Sequence, residues 1–176
     1  TDFRFEHLWI VALLPFAGLL TGYLYKRLGR GSEAGSDLVI DEVVEFRGRV
    51  LLRMAPLIMV STLLAHVFGG SAGREATAVQ MGAALASKFA RMLKLVKQES
   101  QMMMMAGISG GFSAIFGTPV AGAIYGMEVI SRGEMKFVSA IACVAASVVG
   151  NLISHTFTPV HEAYHVPILG DITLVL

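Results

Sequence analysis

Gly69-Gly-Ser-Ala-Gly-Arg-Glu-Ala-Thr-Ala-Val-Gln-Met-Gly82 sets an adjacent cation and anion, Arg74 and Glu75, between apolar flanks. An ionisable pair in such surroundings is expensive to keep, and it marks a functional site when the surroundings are a bilayer. Gly69, Gly70, Ser71 and Gly73 come just before the pair. Small residues let the backbone turn sharply and leave its amides uncovered. A helix pattern follows from Glu75. Amides at a helix start, backed by the helix dipole, form a natural anion site.

Composition points to the same environment. The 176 residues are 55% hydrophobic and only 15% charged, with mean hydropathy +0.66. Soluble domains carry about 25% charge, so the chain reads as a membrane protein. A net charge of +1 argues against a nucleic-acid partner, which demands a strongly basic surface. The single cysteine, Cys143, lies in an apolar helix pattern and reads as a small buried hydrophobe. Asp2, Arg4, Glu6 and His7 precede the first apolar run, so the start has no signal-peptide form and reads as cut from something longer.

Working outward, Leu8 to Tyr25 is expected to be a first spanning helix, with Trp9, Tyr23 and Tyr25 near its ends and Pro15 and Gly18 as points of kinking. Leu38 to Phe46 is too short to span and reads as a re-entrant helix capped by Ser36 or Asp37. Val50 to Phe68 is a second long apolar helix, interrupted by Pro56. The central helix runs from about Glu75 to Val96, apolar and Ala/Gly-rich at first, then basic. Gln101 to Phe116 and Val120 to Ile130 read as two half-helices, each too short to cross alone, split at Gly117-Thr-Pro119. Such interrupted pairs are a sequence pointer to a transporter binding site. Phe137 to Thr156 is a full span, and the tail beyond it an external loop. Threading these segments through a membrane puts twelve of the fourteen Lys and Arg on one face; only Arg4 and Arg74 fall elsewhere. That bias identifies the cytoplasmic side.

These motifs resemble the CLC family of anion channels and proton-coupled anion transporters. Gly73-Arg-Glu-Ala-Thr77 is similar to the family's Gly-Arg/Lys-Glu-Gly-Pro motif, and the run from Met105 to Gly122 to its next two helices, ending in Phe-x-x-Pro-x-Ala-Gly. The resemblance implies an all-α membrane protein, a bundle of tilted, re-entrant and broken helices forming one half of an inverted repeat. Residues 1–176 would then be a single transmembrane domain, the first half of a CLC subunit. The Gly-x-Phe-x-Pro loop and the Tyr or Phe anion ligand of the family's second half have no counterpart in this sequence. Thr77 in place of Pro, the Gly35-Ser-Asp-Leu-Val-Ile-Asp-Glu42 stretch in place of Gly-Ser-Gly-Ile-Pro, and the Thr-Ala-Val-Gln continuation look most like the fluoride-exporting branch. That branch usually has Asn where Ser36 stands. Ala76 replaces a Gly common to the branches. The inner proton-carrying Glu of chloride exchangers aligns with Val129, one residue past Glu128, so Glu128 does not inherit that role.

What the resemblance implies for function is fluoride/proton antiport, with chloride conduction or chloride/proton exchange as the alternative. Glu75 is the gate and proton carrier; Gly73, Arg74, Ala76 and Ser36 surround the anion; Phe116 and Thr118 line the pore. Partners are fluoride or chloride, protons, the lipid bilayer and a second copy in a homodimer. The place is the plasma (inner) membrane, crossed several times. No enzymatic step, cofactor or metal is expected. Each residue has a plainer reading too. Glu75 suits any helix start, Arg74 suits an interface, Ser36 suits a helix cap, and Phe116 and Thr118 suit core packing. Met102 to Met105 wraps a helix all round and reads as packing. His161-Glu-Ala-Tyr-His165 matches the zinc-protease pattern, but Pro159 and Pro167 bracket it and deny it a supporting helix. A half-length chain also admits a transport-incompetent membrane scaffold.

Overall fold

The computed structural model describes residues 13–29, 35–48, 50–70, 72–128 and 137–157, and every regular element among them is helical. The elements are α1 (Leu14–Leu24), continued by a π-helical turn at Tyr25–Gly29; α2 (Gly35–Val44); α3 (Met54–Val67); α4 (Arg74–Met92); α5 (Lys97–Phe116); α6 (Pro119–Glu128); and α7 (Ala140–Phe157), entered through a 3-10 turn at Phe137–Ser139.

The centre is a layer of α4, α5 and α7, with α6 wedged against α5 and α7. Glycines set how closely they approach. A Cβ at Gly107 would lie 2.5 Å from the Gly82 carbonyl oxygen, and one at Gly111 would lie 2.5 Å from the Ala78 carbonyl oxygen. A Cβ at Gly150 would meet the Gly110 carbonyl oxygen at 2.6 Å. The backbones are therefore in direct contact, as small-residue membrane interfaces allow. Serines bridge the same seams. Ser113 donates to the Ser147 carbonyl at 2.8 Å, Ser147 to the Ser109 carbonyl at 3.2 Å, and Ser154 to the Ala114 carbonyl at 2.6 Å.

Large apolar side chains point the other way. On α7 the buried positions are Cys143 and Ser147, while Ile141 is 85% exposed and Phe157 83%. Water would penalise this arrangement of small and polar inside, bulky apolar outside; acyl chains would favour it. Among the described residues, α7 is the helix both long and apolar enough to cross a membrane by itself.

Several boundaries differ from expectation, each for a local reason. α5 starts at Lys97 and has 20 residues, so it is no half-helix: at 1.5 Å per residue it is about 30 Å long. Its start is fixed by Glu99, whose carboxylate accepts the Val96 N–H at 3.3 Å. α4 stops at Met92, four residues short of Val96. Lys94 turns left-handed there (φ 51°) and Leu95 N–H returns to the Ala90 carbonyl. α3 begins at Met54, not Val50. Pro56 thus sits in its first turn, where a missing N–H costs nothing. Pro15 likewise lies in the first turn of α1; residues 8–12 of the expected first span lie outside the described residues. The break between α5 and α6 is where the sequence puts it. Gly117 caps α5 in the left-handed region (φ 67°) and Pro119 opens α6.

Methionines fill the middle of the core. Met104 and Met105 are completely buried, and Met102 and Met103 partly so, consistent with packing.

Candidate functional site

α2 and α4 bring their N-terminal turns together. Between them lies a cavity of about 310 Å³. Its walls, among the described residues, are Ser36, Val39 and Ile40 of α2; Glu75, Ala76, Val79 and Gln80 of α4; Ile108 and Phe112 of α5; and Tyr125 of α6. Most of the lining is apolar. The polar groups at its edge are a carboxylate, two hydroxyls and an amide.

Glu75 is the second residue of α4. Its side chain folds back over the helix start: a Cβ at Gly73 would lie 3.1 Å from Glu75 Oε2. The carboxylate therefore rests near the first amides of the helix, where the dipole favours negative charge. The residue is exposed on its outer side. A second set of contacts steadies this turn. Thr77 donates its hydroxyl to the Gly73 carbonyl at 3.2 Å and lies 2.8 Å from the Thr62 hydroxyl of α3. A proline at 77 would supply neither bond. Ala76 is the third helical residue of α4, so its Cβ sits in ordinary helical backbone without strain.

Ser36 is not a cap ahead of α2. The helix begins one residue earlier, at Gly35, so Ser36 lies within the first turn. Its Oγ accepts a hydrogen bond from Gln80 Nε2 at 2.7 Å. This bond ties the start of α2 to the second turn of α4.

The other end of α2 is fixed just as firmly. Glu42 is fully buried, and its Oε1 accepts the backbone N–H groups of Arg47 (3.1 Å) and Gly48. Gln101 donates to the Val44 carbonyl at 2.6 Å. Arg91 and Ser87 donate to the Val50 carbonyl at 2.8 and 3.0 Å. α2 is held at both ends by α4 and α5, which fixes where Ser36 stands.

The structure thus gathers Ser36, Glu75 and Ala76 around one cavity, with Gly73 beneath the carboxylate. Arg74, Phe116 and Thr118 are exposed and stand off its walls. Phe116 reaches it indirectly: its ring lies 4.4 Å from Phe112, which stacks on Tyr125 at 4.4 Å. Gln80, Phe112 and Tyr125 join the site without a place among the sequence candidates. A glutamine inside an Ala/Gly-rich apolar run is a usable signal for the first; the two aromatics carry none. Val129 and the His161–His165 motif lie outside the described residues.

A family model described as voltage gated chloride channel matches residues 17–175. The chain belongs to the CLC chloride-channel family. It is 39% identical over 99% of its length to a chloride/fluoride channel protein of Pseudomonas syringae pv. tomato, covering 38% of that protein. It is 32% identical over 80% of its length to a voltage-gated ClC-type chloride channel of Escherichia coli O139:H28, covering 34% of it. The fold matches the crystal structure of a CLC-type fluoride/proton antiporter with TM-score 0.83 at 32% identity, over 89% of this chain and 40% of that one. The expected all-α CLC architecture is therefore the one the chain adopts. It spans between about a third and two fifths of the length of these relatives.

Proposed function

We propose that this CLC chain builds one half of a membrane anion pathway, carrying fluoride in exchange for protons, with Glu75 as gate and proton carrier. The observation that carries the reading is the shared cavity: Glu75 and Ser36 line it from two helix starts that meet. A small anion there receives amide and hydroxyl donors in a poorly solvated setting, where each donor counts for more than in water. The carboxylate competes for the same positive ends. When protonated it loses its hold and leaves the space to the anion, so one proton is exchanged against anion movement without a covalent step. Gly73 gives the carboxylate room, and Arg74 supplies nearby positive charge. Phe116, through Phe112, backs the cavity wall, and Thr118 sits at the α5–α6 break.

Fluoride is preferred over chloride as the cargo because a fluoride/proton antiporter and a chloride/fluoride channel protein are among the proteins this chain is similar to. Chloride conduction or chloride/proton exchange is the alternative. The setting is the plasma (inner) membrane, crossed several times, with a homodimer as the assembly. The function is transport and not enzymatic turnover.

Glu75→Gln tests the gate. In proteoliposomes the variant is expected to move anions with no accompanying proton flux, read by paired fluoride, chloride and pH electrodes. Unchanged coupling and unchanged anion flux would reject the role. Absence of any flux from the wild-type chain by itself would favour a scaffold role for this half.

A further inference from the structure

We infer that Gln80 is a positioning residue that sets the direction of the Ser36 hydroxyl and so makes Ser36 an anion donor. This rests on the anion-site reading of the cavity between α2 and α4. Gln80 lies one and a half turns into α4 and is 8% exposed. Burying an amide is costly unless it is paired. Its Nε2 is paired with Ser36 Oγ at 2.7 Å, and both residues line the cavity that Glu75 also lines.

A serine hydroxyl has one proton and two lone pairs. The amide N–H takes one lone pair of Ser36. The hydroxyl proton is thereby left for another acceptor, and the cavity is where one can sit. Donation from Gln80 also polarises the O–H and strengthens it as a donor. The ligand chemistry this favours is a compact monatomic anion with no proton of its own. Were the amide replaced by an acceptor, Ser36 would donate to it and turn a lone pair toward the anion. The same serine would then repel what it now attracts. Gln80 acts through Ser36 and does not touch the anion.

Gln80→Glu makes that reversal at almost constant volume. The experiment titrates sodium fluoride and sodium chloride, by calorimetry, into the detergent-solubilised chain. Wild type, Gln80→Glu, Ser36→Ala and the double variant are compared. Gln80→Glu is expected to weaken halide binding about tenfold or more, the scale of one hydrogen bond to a charge. Ser36→Ala is expected to weaken it similarly, and the double variant to bind no worse than Ser36→Ala alone. Gln80→Met, which removes the donor without adding charge, is expected to fall between wild type and Gln80→Glu, and serves if the glutamate variant does not fold. Wild-type affinity in Gln80→Met overturns the inference. So does a Gln80→Glu penalty that persists in full without the Ser36 hydroxyl, since that would be plain charge repulsion. So does a wild-type chain that binds no halide. A chain that binds with the expected pattern but carries no anion across liposomes upholds the role of Gln80 and rejects transport by this chain. A transporting chain indifferent to Gln80→Glu does the opposite.

Discussion

Glu42 and Arg91 grip one loop from two sides, and the gain from each is larger than its exposed neighbours suggest. Arg91 Nη1 reaches three acceptors: the Val50 carbonyl and the Ser87 hydroxyl at 2.8 Å each, and the Gly48 carbonyl at 3.5 Å. Arg91→Met keeps the stem and removes these bonds. It is expected to cost about 1.5–3 kcal/mol, measured as a lowered thermal midpoint in detergent. Lys88→Met, one turn earlier and exposed, should change the midpoint little. In sequence Arg91 is one of four basic residues closing a helix, and nothing there separates it from Lys88, Lys94 or Lys97. Only the return of the α2–α3 loop beneath α4 gives it work. Glu75 stands out in the sequence as a candidate because a carboxylate held between apolar runs contributes little to packing, and the structure puts it on the cavity wall. Gln80 stands out as a glutamine in an Ala/Gly-rich run, but its tie to Ser36 does not show, because that partner sits 44 residues away. Phe112 and Tyr125 likewise become neighbours only when α6 folds back on α5.

Apolar runs and Gly/Pro punctuation place the helices as units, but they misplace the ends wherever a side chain or a loop decides. Glu99 extends α5 toward the water, Lys94 shortens α4, and the bonded loop at Val50 delays α3. The Gly117-Thr-Pro119 break falls where expected because its chemistry is local: φ of 67° suits glycine, and proline suits a first turn. Gly117→Ala is expected to cost about 1–2 kcal/mol from left-handed strain, read from the same thermal midpoint. Gly107→Val goes further. The Cβ alone would stand 2.6 Å from the Ala86 Cβ and 2.5 Å from the Gly82 carbonyl oxygen, so α4 and α5 would have to part. The expected loss is about 3 kcal/mol or more, at or beyond the top of the roughly 1–3 kcal/mol usual for overpacking. It should show as aggregation on extraction or loss of the unfolding transition. Which glycine faces which is invisible in sequence, since Ala/Gly-rich runs are small on every side.

For the whole molecule, the one-sided placement of Lys and Arg predicts orientation, and the chain carries a convenient internal control. Cys143 is its single cysteine and is fully buried, so the native protein is expected to resist a membrane-impermeant maleimide. Lys88→Cys, on exposed α4 surface, should be labelled from the cytoplasmic side, and His66→Cys, at the end of α3, from the opposite side. Labelling of both from one side would overturn the orientation. The fold class is readable because so few charges cannot keep this much apolar surface in water. The cavity is not, because its walls come from four helices whose lining residues stand far apart along the chain.

The seams where Gly82 meets Gly107 and Gly110 meets Gly150 have a mechanical outcome. Main chains already touching cannot slide or tilt past one another without collision, so this core is a stiff chassis. With Glu75 as the proposed gate, a working cycle mounted on this core would be driven by swinging side groups rather than by rocking helices. Its turnover should therefore depend little on bilayer thickness, which bears on tilting segments and leaves a pivoting carboxylate indifferent.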